Sequence, residues 1–85
     1  MKLIISKNSR KFLEKIPEKH AIQITRKIDR LLEYPLDSIL LAGHDSIRRA
    51  KAGEYRIIFV IESDSLNILS IGKRNDGEVY KRINR

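Results

Sequence analysis

Arg49-Ala50-Lys51-Ala52-Gly53-Glu54-Tyr55-Arg56-Ile57-Ile58-Phe59 decides how this chain is read. Two runs of strand character flank Gly53-Glu54, a turn signal, so residues 47–51 and 55–62 are expected to form an antiparallel hairpin. Ser63-Asp64-Ser65 turns the chain again, and Leu66 to Gly72 supplies a third strand. Cations stand at strand positions where stability alone favours apolar or neutral side chains. Alternation puts Arg49 and Lys51 on one face and Arg48 and Ala50 on the other, while Arg56, Ile58 and Val60 oppose Tyr55, Ile57, Phe59 and Ile61. The last strand delivers Lys73 and Arg74 at its end, so several cations are expected on one concave sheet surface opposite the helices. Arg56 is the sharpest case. Among apolar neighbours its charge needs either a carboxylate, with Glu54 and Glu62 nearby, or an open anion site.

Upstream, Leu3-Ile4-Ile5 reads as a first strand, and Ser6 or Asn8 can cap the helix that follows. Phe12, Leu13 and Ile16 give that helix an apolar stripe, and Pro17 ends it or starts the next. Ala21, Ile24, Ile28 and Leu31, at spacings of three, four and three, mark a second amphipathic helix with Ile22 and Leu32 widening its face. Pro35 stops it, because Tyr34 before a proline disfavours the α region. Residues 36–45 are expected to be a loop pivoting at Gly43, with Leu40 and Leu41 as plugs beneath it. The resulting order β-α-α-β-β-β implies an α+β domain, a two-helix hairpin on one face of a twisted, mainly antiparallel sheet. One domain over residues 1–85 is expected.

Composition narrows the function. Lys and Arg number 18 against 11 Asp and Glu, a formal charge of +7, which favours a polyanionic ligand or an acidic protein partner. The chain has no cysteine, and His20 and His44 lack metal-ligand spacing, so neither a metal nor another cofactor is expected. The opening Met1–Ser6 stretch is too short for a secretory signal, and no apolar run approaches the roughly 20 residues of a membrane span. A soluble cytoplasmic protein without a membrane partner is the expectation.

Cations grouped on a sheet suit cleavage of RNA by its own 2′-hydroxyl. That reaction needs a proton acceptor, positive charge around the pentacoordinate phosphate and a donor to the departing 5′-oxygen. Arginine fits the second task because its planar fork binds two phosphoryl oxygens. Tyr80 offers a ring for base stacking and a hydroxyl, or else a C-terminal aromatic clamped to the sheet. His44, in the loop before the strand, reads as a surface histidine rather than a base, and His20 carries no functional expectation.

The Leu41-Ala42-Gly43 loop, the 49–56 stretch with Gly53-Glu54-Tyr55-Arg56, Ile71-Gly72-Lys73-Arg74, and Val79-Tyr80 together resemble the RelE/ParE toxin superfamily over essentially the whole chain. The resemblance implies a ribosome-dependent endoribonuclease that cuts mRNA in the A site, held by a small antitoxin that is commonly acidic. It places the family's phosphate-stabilising arginine on Arg56, a second arginine on Arg74 and the stacking tyrosine on Tyr80. One member of a basic pair used for proton removal and transition-state stabilisation falls on Arg49. The other falls on Ile47, which cannot do that work, and arginine stays protonated at ordinary pH. Arg48, Lys51, Lys73 and Lys81 are candidate RNA contacts, with Arg26, Lys27 and Arg30 on a ribosome-facing helix surface. The 81–85 tail reads as a helix displaced by the antitoxin, an rRNA contact or a frayed end. Two alternatives stand beside the nuclease: a gyrase poison of the ParE branch, and a catalytically inactive member that only binds its antitoxin. The set Arg56, Arg74 and Tyr80 favours the nuclease over the first, and Ile47 sustains the second.

Overall fold

The computed structural model describes residues 1–75 and Gly77. The elements run β1 (Lys2–Ile5), α1 (Lys7–Lys15), α2 (Glu18–Glu33), β2 (Ile39–Leu40), β3 (Ile47–Ala52), β4 (Tyr55–Glu62) and β5 (Ser65–Lys73). They form one five-stranded sheet in the order β1-β5-β4-β3-β2, with β1 parallel to β5 and every other pair antiparallel. The expected α+β order is therefore present.

Local chemistry sets the helix ends. Ser6 caps α1, its hydroxyl accepting from the Ser9 backbone N–H at 3.3 Å. Ile16 is extended (φ −89°, ψ 162°) because it precedes Pro17, and Pro17 in turn occupies the N-cap of α2. One proline thus both ends the first helix and begins the second. Tyr34, before Pro35, leaves the helical region in the same way.

Ile24, Ile28 and Leu31 of α2 are buried against Ala50, Ala52, Tyr55, Ile57, Phe59, Leu66, Ile68 and Ile71 of the sheet, and Phe12, Leu13 and Ile16 of α1 pack onto the same cluster. Burial of side chains this size contributes about 1.5–3 kcal/mol each. Gly53 turns β3 into β4 at φ +61°, and α2 passes so close that a Cβ there would meet the Gln23 side chain. Glycine is needed at this turn for the left-handed backbone.

Two features depart from the expected pattern. Residues 36–45 are not loop throughout: Ile39 and Leu40 pair with Arg49 and Arg48 as a fifth, edge strand. Leu40 is 49% exposed and so is not a plug, whereas Leu41 packs with Ile47, Ile58 and Leu69 in a second, smaller cluster on the far side of the sheet. A two-residue strand has too little length for any periodicity to reveal it. The second departure is a bulge, where pairing steps from Ile58–Ser70 to Phe59–Ile68 and leaves Leu69 without an opposite residue. The bulge lets Leu69 join that second cluster, and the start of α1 takes its carbonyl, with the Ser6 hydroxyl at 3.0 Å and Asn8 Nδ2 at 3.3 Å.

No described helix is long and apolar enough to cross a membrane.

Candidate functional site

Register determines which cations meet. Lys51 lies opposite Arg56, which lies opposite Gly72; one step along, Arg49 lies opposite Ile58, which lies opposite Ser70. Ala50, Ala52, Tyr55 and Ile57 face the helices, so Arg49, Lys51 and Arg56 share the other face. Two cations directly across a strand pair oppose folding. Next to them Gly72 contributes no side chain.

Arg74 joins this group from the end of β5. Its backbone N–H donates to the Glu54 carbonyl at 2.8 Å, which ties the end of the last strand to the β3–β4 turn. Lys51, Gly53, Tyr55, Arg56 and Arg74 consequently line one narrow cleft of about 10 Å³, room for roughly one water. Arg56 and Lys51 also border a larger cavity of about 380 Å³ whose other walls include Leu36, Asp37, Ser38, Ile39 and Arg49. Arg56 therefore stands between a cleft shared with Arg74 and a cavity shared with Arg49.

The remaining expected site residues separate. Arg48 lies on the helix side of β3, where its Nε donates to the Ser38 hydroxyl at 2.7 Å and its Nη2 to the Ser38 carbonyl at 2.9 Å; it braces the loop after α2. Lys73, paired with Tyr55, is exposed at the end of the sheet beside Glu54, Arg74 and Asn75. Tyr80 and Lys81 lie outside the described residues. Ile47 pairs with Val60 and is only 3% exposed, packed on Ile58. The resemblance places a basic residue at that position; here it fills the second cluster.

The histidines follow their expected places. His44 stands exposed in the turn that Gly43 makes at φ +82°, its N–H donating to the Leu41 carbonyl. His20 Nδ1 lies 2.7 Å from the Tyr55 hydroxyl, and Tyr55 meets both His20 and Phe12 edge to face. This link fastens the beginning of α2 to β4 beside Arg56. Among the described residues no group of three or more His, Cys, Asp or Glu side chains is placed to hold a metal.

The loop after α2 is the part that sequence reasoning missed. Asp37 accepts from Arg30 Nε at 3.0 Å and Lys27 Nζ at 3.5 Å. The Arg30 hydrogen bond, with the Lys27 charge behind it, holds the Asp37 carboxyl below the usual carboxylate range and raises Arg30 in return. Arg30 also lies over the Tyr34 ring, 5.5 Å from its centre. Lys27 and Arg30, two of the cations expected to face a ribosome, thus fasten this loop. A sequence signal existed in the i, i+3 spacing of Lys27 and Arg30 on the helix just before an acidic loop.

No protein-family model matches the chain, and no curated protein sequence matches it. Solved structures do. A mutant of the Escherichia coli toxin RelE in the free state is 22% identical, with a TM-score of 0.80 over 95% of this chain and 90% of that one. The archaeal RelE–RelB complex from Pyrococcus horikoshii is 26% identical, with a TM-score of 0.73 over 87% of this chain and 94% of its match. The toxin–antitoxin complex RelBE2 from Mycobacterium tuberculosis is 21% identical, with a TM-score of 0.77 over 88% and 92%. The chain has the RelE-like fold.

Proposed function

We propose that this chain, which has the fold of the RelE toxins, is the toxin of a toxin–antitoxin pair and a ribosome-dependent endoribonuclease that cuts mRNA in the A site. One observation carries the reading: Lys51, Arg56 and Arg74, from three separate segments, line a single cleft on the sheet face away from the helices. In this reading a scissile phosphate lies at that cleft. Arg56 and Arg74 stabilise the charge that develops as the 2′-oxygen attacks and the 5′-oxygen leaves. Arg49, two residues from Lys51 on the same face, adds positive charge. With Ile47 buried and Arg48 turned to Ser38, Lys51 is the described amine left on this face to orient the 2′-hydroxyl and take its proton. Tyr80 supplies the stacking surface for a base. No step here asks for a metal or organic cofactor.

A second component follows from the same reading. The RelE structures solved with antitoxins support a cognate antitoxin, and the +7 charge favours an acidic one that is steered electrostatically onto this face. The test is growth arrest on expression in bacteria, comparing wild type with Arg56→Ala and Arg74→Ala, each checked for a native melting transition. Both substitutions lie outside the apolar core, so both variants should fold and lose toxicity. A folded Arg56→Ala protein that still arrests growth fully would refute the phosphate-stabilising role. Burial of Ile47 favours one second reading, a member that binds its antitoxin without cutting RNA; folded wild type that never arrests growth would select it.

A further inference from the structure

The larger cavity, bordered by Arg56 but lying away from the Arg56–Arg74 cleft, has an apolar outer wall that phosphate chemistry does not require. Leu36 is 73% exposed and Ile39 58% exposed, both on its rim, while Arg49 and Lys51 form the inner wall. An exposed aliphatic pair facing cations suits a ligand that alternates apolar faces with negative charge. At about 380 Å³ the cavity is near the lower end of the roughly 300–1,000 Å³ of small-ligand sites, a size suited to one nucleotide unit.

The wall is held in advance of any ligand. Arg48 grips both the hydroxyl and the carbonyl of Ser38, and the Ser38 hydroxyl reaches the Pro35 carbonyl at 2.7 Å. Asp37 is drawn onto Arg30 and Lys27, so its negative charge is compensated from α2. A loop immobilised in this way loses little further freedom on binding. Arg49 and Lys51 are separated along β3 by two residues, about 7 Å, so they present charge at successive points along a strand of nucleic acid passing Arg56.

We infer that this cavity is a subsite for the nucleotide of single-stranded RNA next to the scissile phosphate, its base resting on Leu36 and Ile39 and its phosphate on Arg49 and Lys51. The subsite rests on the nuclease reading above. An aliphatic platform gripping a base by its face is tolerant of base identity, so its effect is on affinity and register. Arg48 is a positioning residue, acting on the ligand only through the loop it braces.

The test uses the full chain with ¹³C-labelled Leu and Ile methyls, Leu36 and Ile39 being assigned by their loss in Leu36→Ala and Ile39→Val. Three probes are titrated: a hexanucleotide carrying 2′-O-methyl groups throughout, the same backbone without bases, and a peptide of alternating Glu and Leu. The subsite requires the hexanucleotide to shift the Leu36 and Ile39 methyls, and the abasic backbone to leave them in place. Leu36→Ser with Ile39→Ser, both exposed and so compatible with folding, should weaken the hexanucleotide roughly five- to tenfold and leave the abasic backbone unchanged. Arg48→Ala should weaken the hexanucleotide too and broaden the Leu36 methyl signal in the free protein. If RNA moves only signals near Arg56 and Arg74, or if the peptide alone moves the two methyls, the subsite is refuted. In that case A-site cleavage by wild type leaves the nuclease reading standing. No response to RNA anywhere, together with no cleavage on ribosomes, would remove both.

Discussion

Replacing Ile47 measures whether that position serves packing or chemistry. It is buried against Ile58, with Leu41 and Leu69 closing over them, and Val60 is its strand partner. Ile47→Ala removes the side chain from a site only 3% exposed, and aliphatic truncations of that kind cost about 2–5 kcal/mol. The low end, about 2–3 kcal/mol, is expected, because the half-buried Leu41 and Leu69 can settle into the space. For a chain of this size each kcal/mol lowers Tm by roughly 4–8 °C, so the melt should fall by about 10–20 °C. Ile47→Val should lose only about 0.5–1.5 kcal/mol. Ile47→Lys, which installs the residue type that the resemblance places here, should destabilise like alanine, since an ammonium cannot remain in an apolar cluster. The assay is thermal and urea denaturation of the three variants beside wild type. A melt for Ile47→Ala within about 3 °C of wild type, below 1 kcal/mol, would refute the packing role.

The remaining predictions concern other parts of the scaffold. Gly53→Ala must hold an L-residue at φ +61°, so it should lose about 1–2 kcal/mol in urea melts, with Gly53→Asn recovering part of that. The Gln23 amide that its Cβ would meet ends an exposed, flexible side chain and can move aside. Tyr55→Phe keeps the ring contact to Phe12 but removes the hydroxyl at His20, and a loss of about 0.5–1.5 kcal/mol is expected by the same assay. The Asp37 contacts are pH-dependent in one direction. Because the folded carboxyl is held below its ordinary range, their contribution is complete above that range and is lost as pH falls through the lowered value. An acid titration followed by methyl NMR should therefore move the Leu36 signal, and Asp37→Asn should abolish that response.

The framework was legible because it is written in local signals. Gly53-Glu54 and Ser63-Asp64-Ser65 bound strands whose alternation is plain, and β3, β4 and β5 begin and end within a residue of the expected places. The 3, 4, 3 spacing from Ala21 to Leu31 with a proline at each end likewise marks α2. Co-facing of Arg49, Lys51 and Arg56 follows from the same alternation once the hairpin register is known. What could not be read depends on tertiary contacts. The Leu69 bulge needs α1 to take up a freed carbonyl, and strand β2 is too short to carry a pattern. The loop wall around Leu36 exists because Arg48 and Asp37 each find partners elsewhere in the fold. Sequence reading ranked Arg48 among RNA contacts from its charge, and its register with Leu40 and Phe59 turned it toward the helix side instead.

The central claim is that Arg56 sits at a phosphate-cleaving site used on the ribosome. Its most direct test is 5′-end mapping of an mRNA on translating ribosomes with purified protein, beside the same RNA without ribosomes and beside folded Arg56→Ala. The account predicts new 5′ ends at A-site codons with wild type only, and only on ribosomes. An absence of new ends from folded wild type, or the same ends from Arg56→Ala, would contradict it.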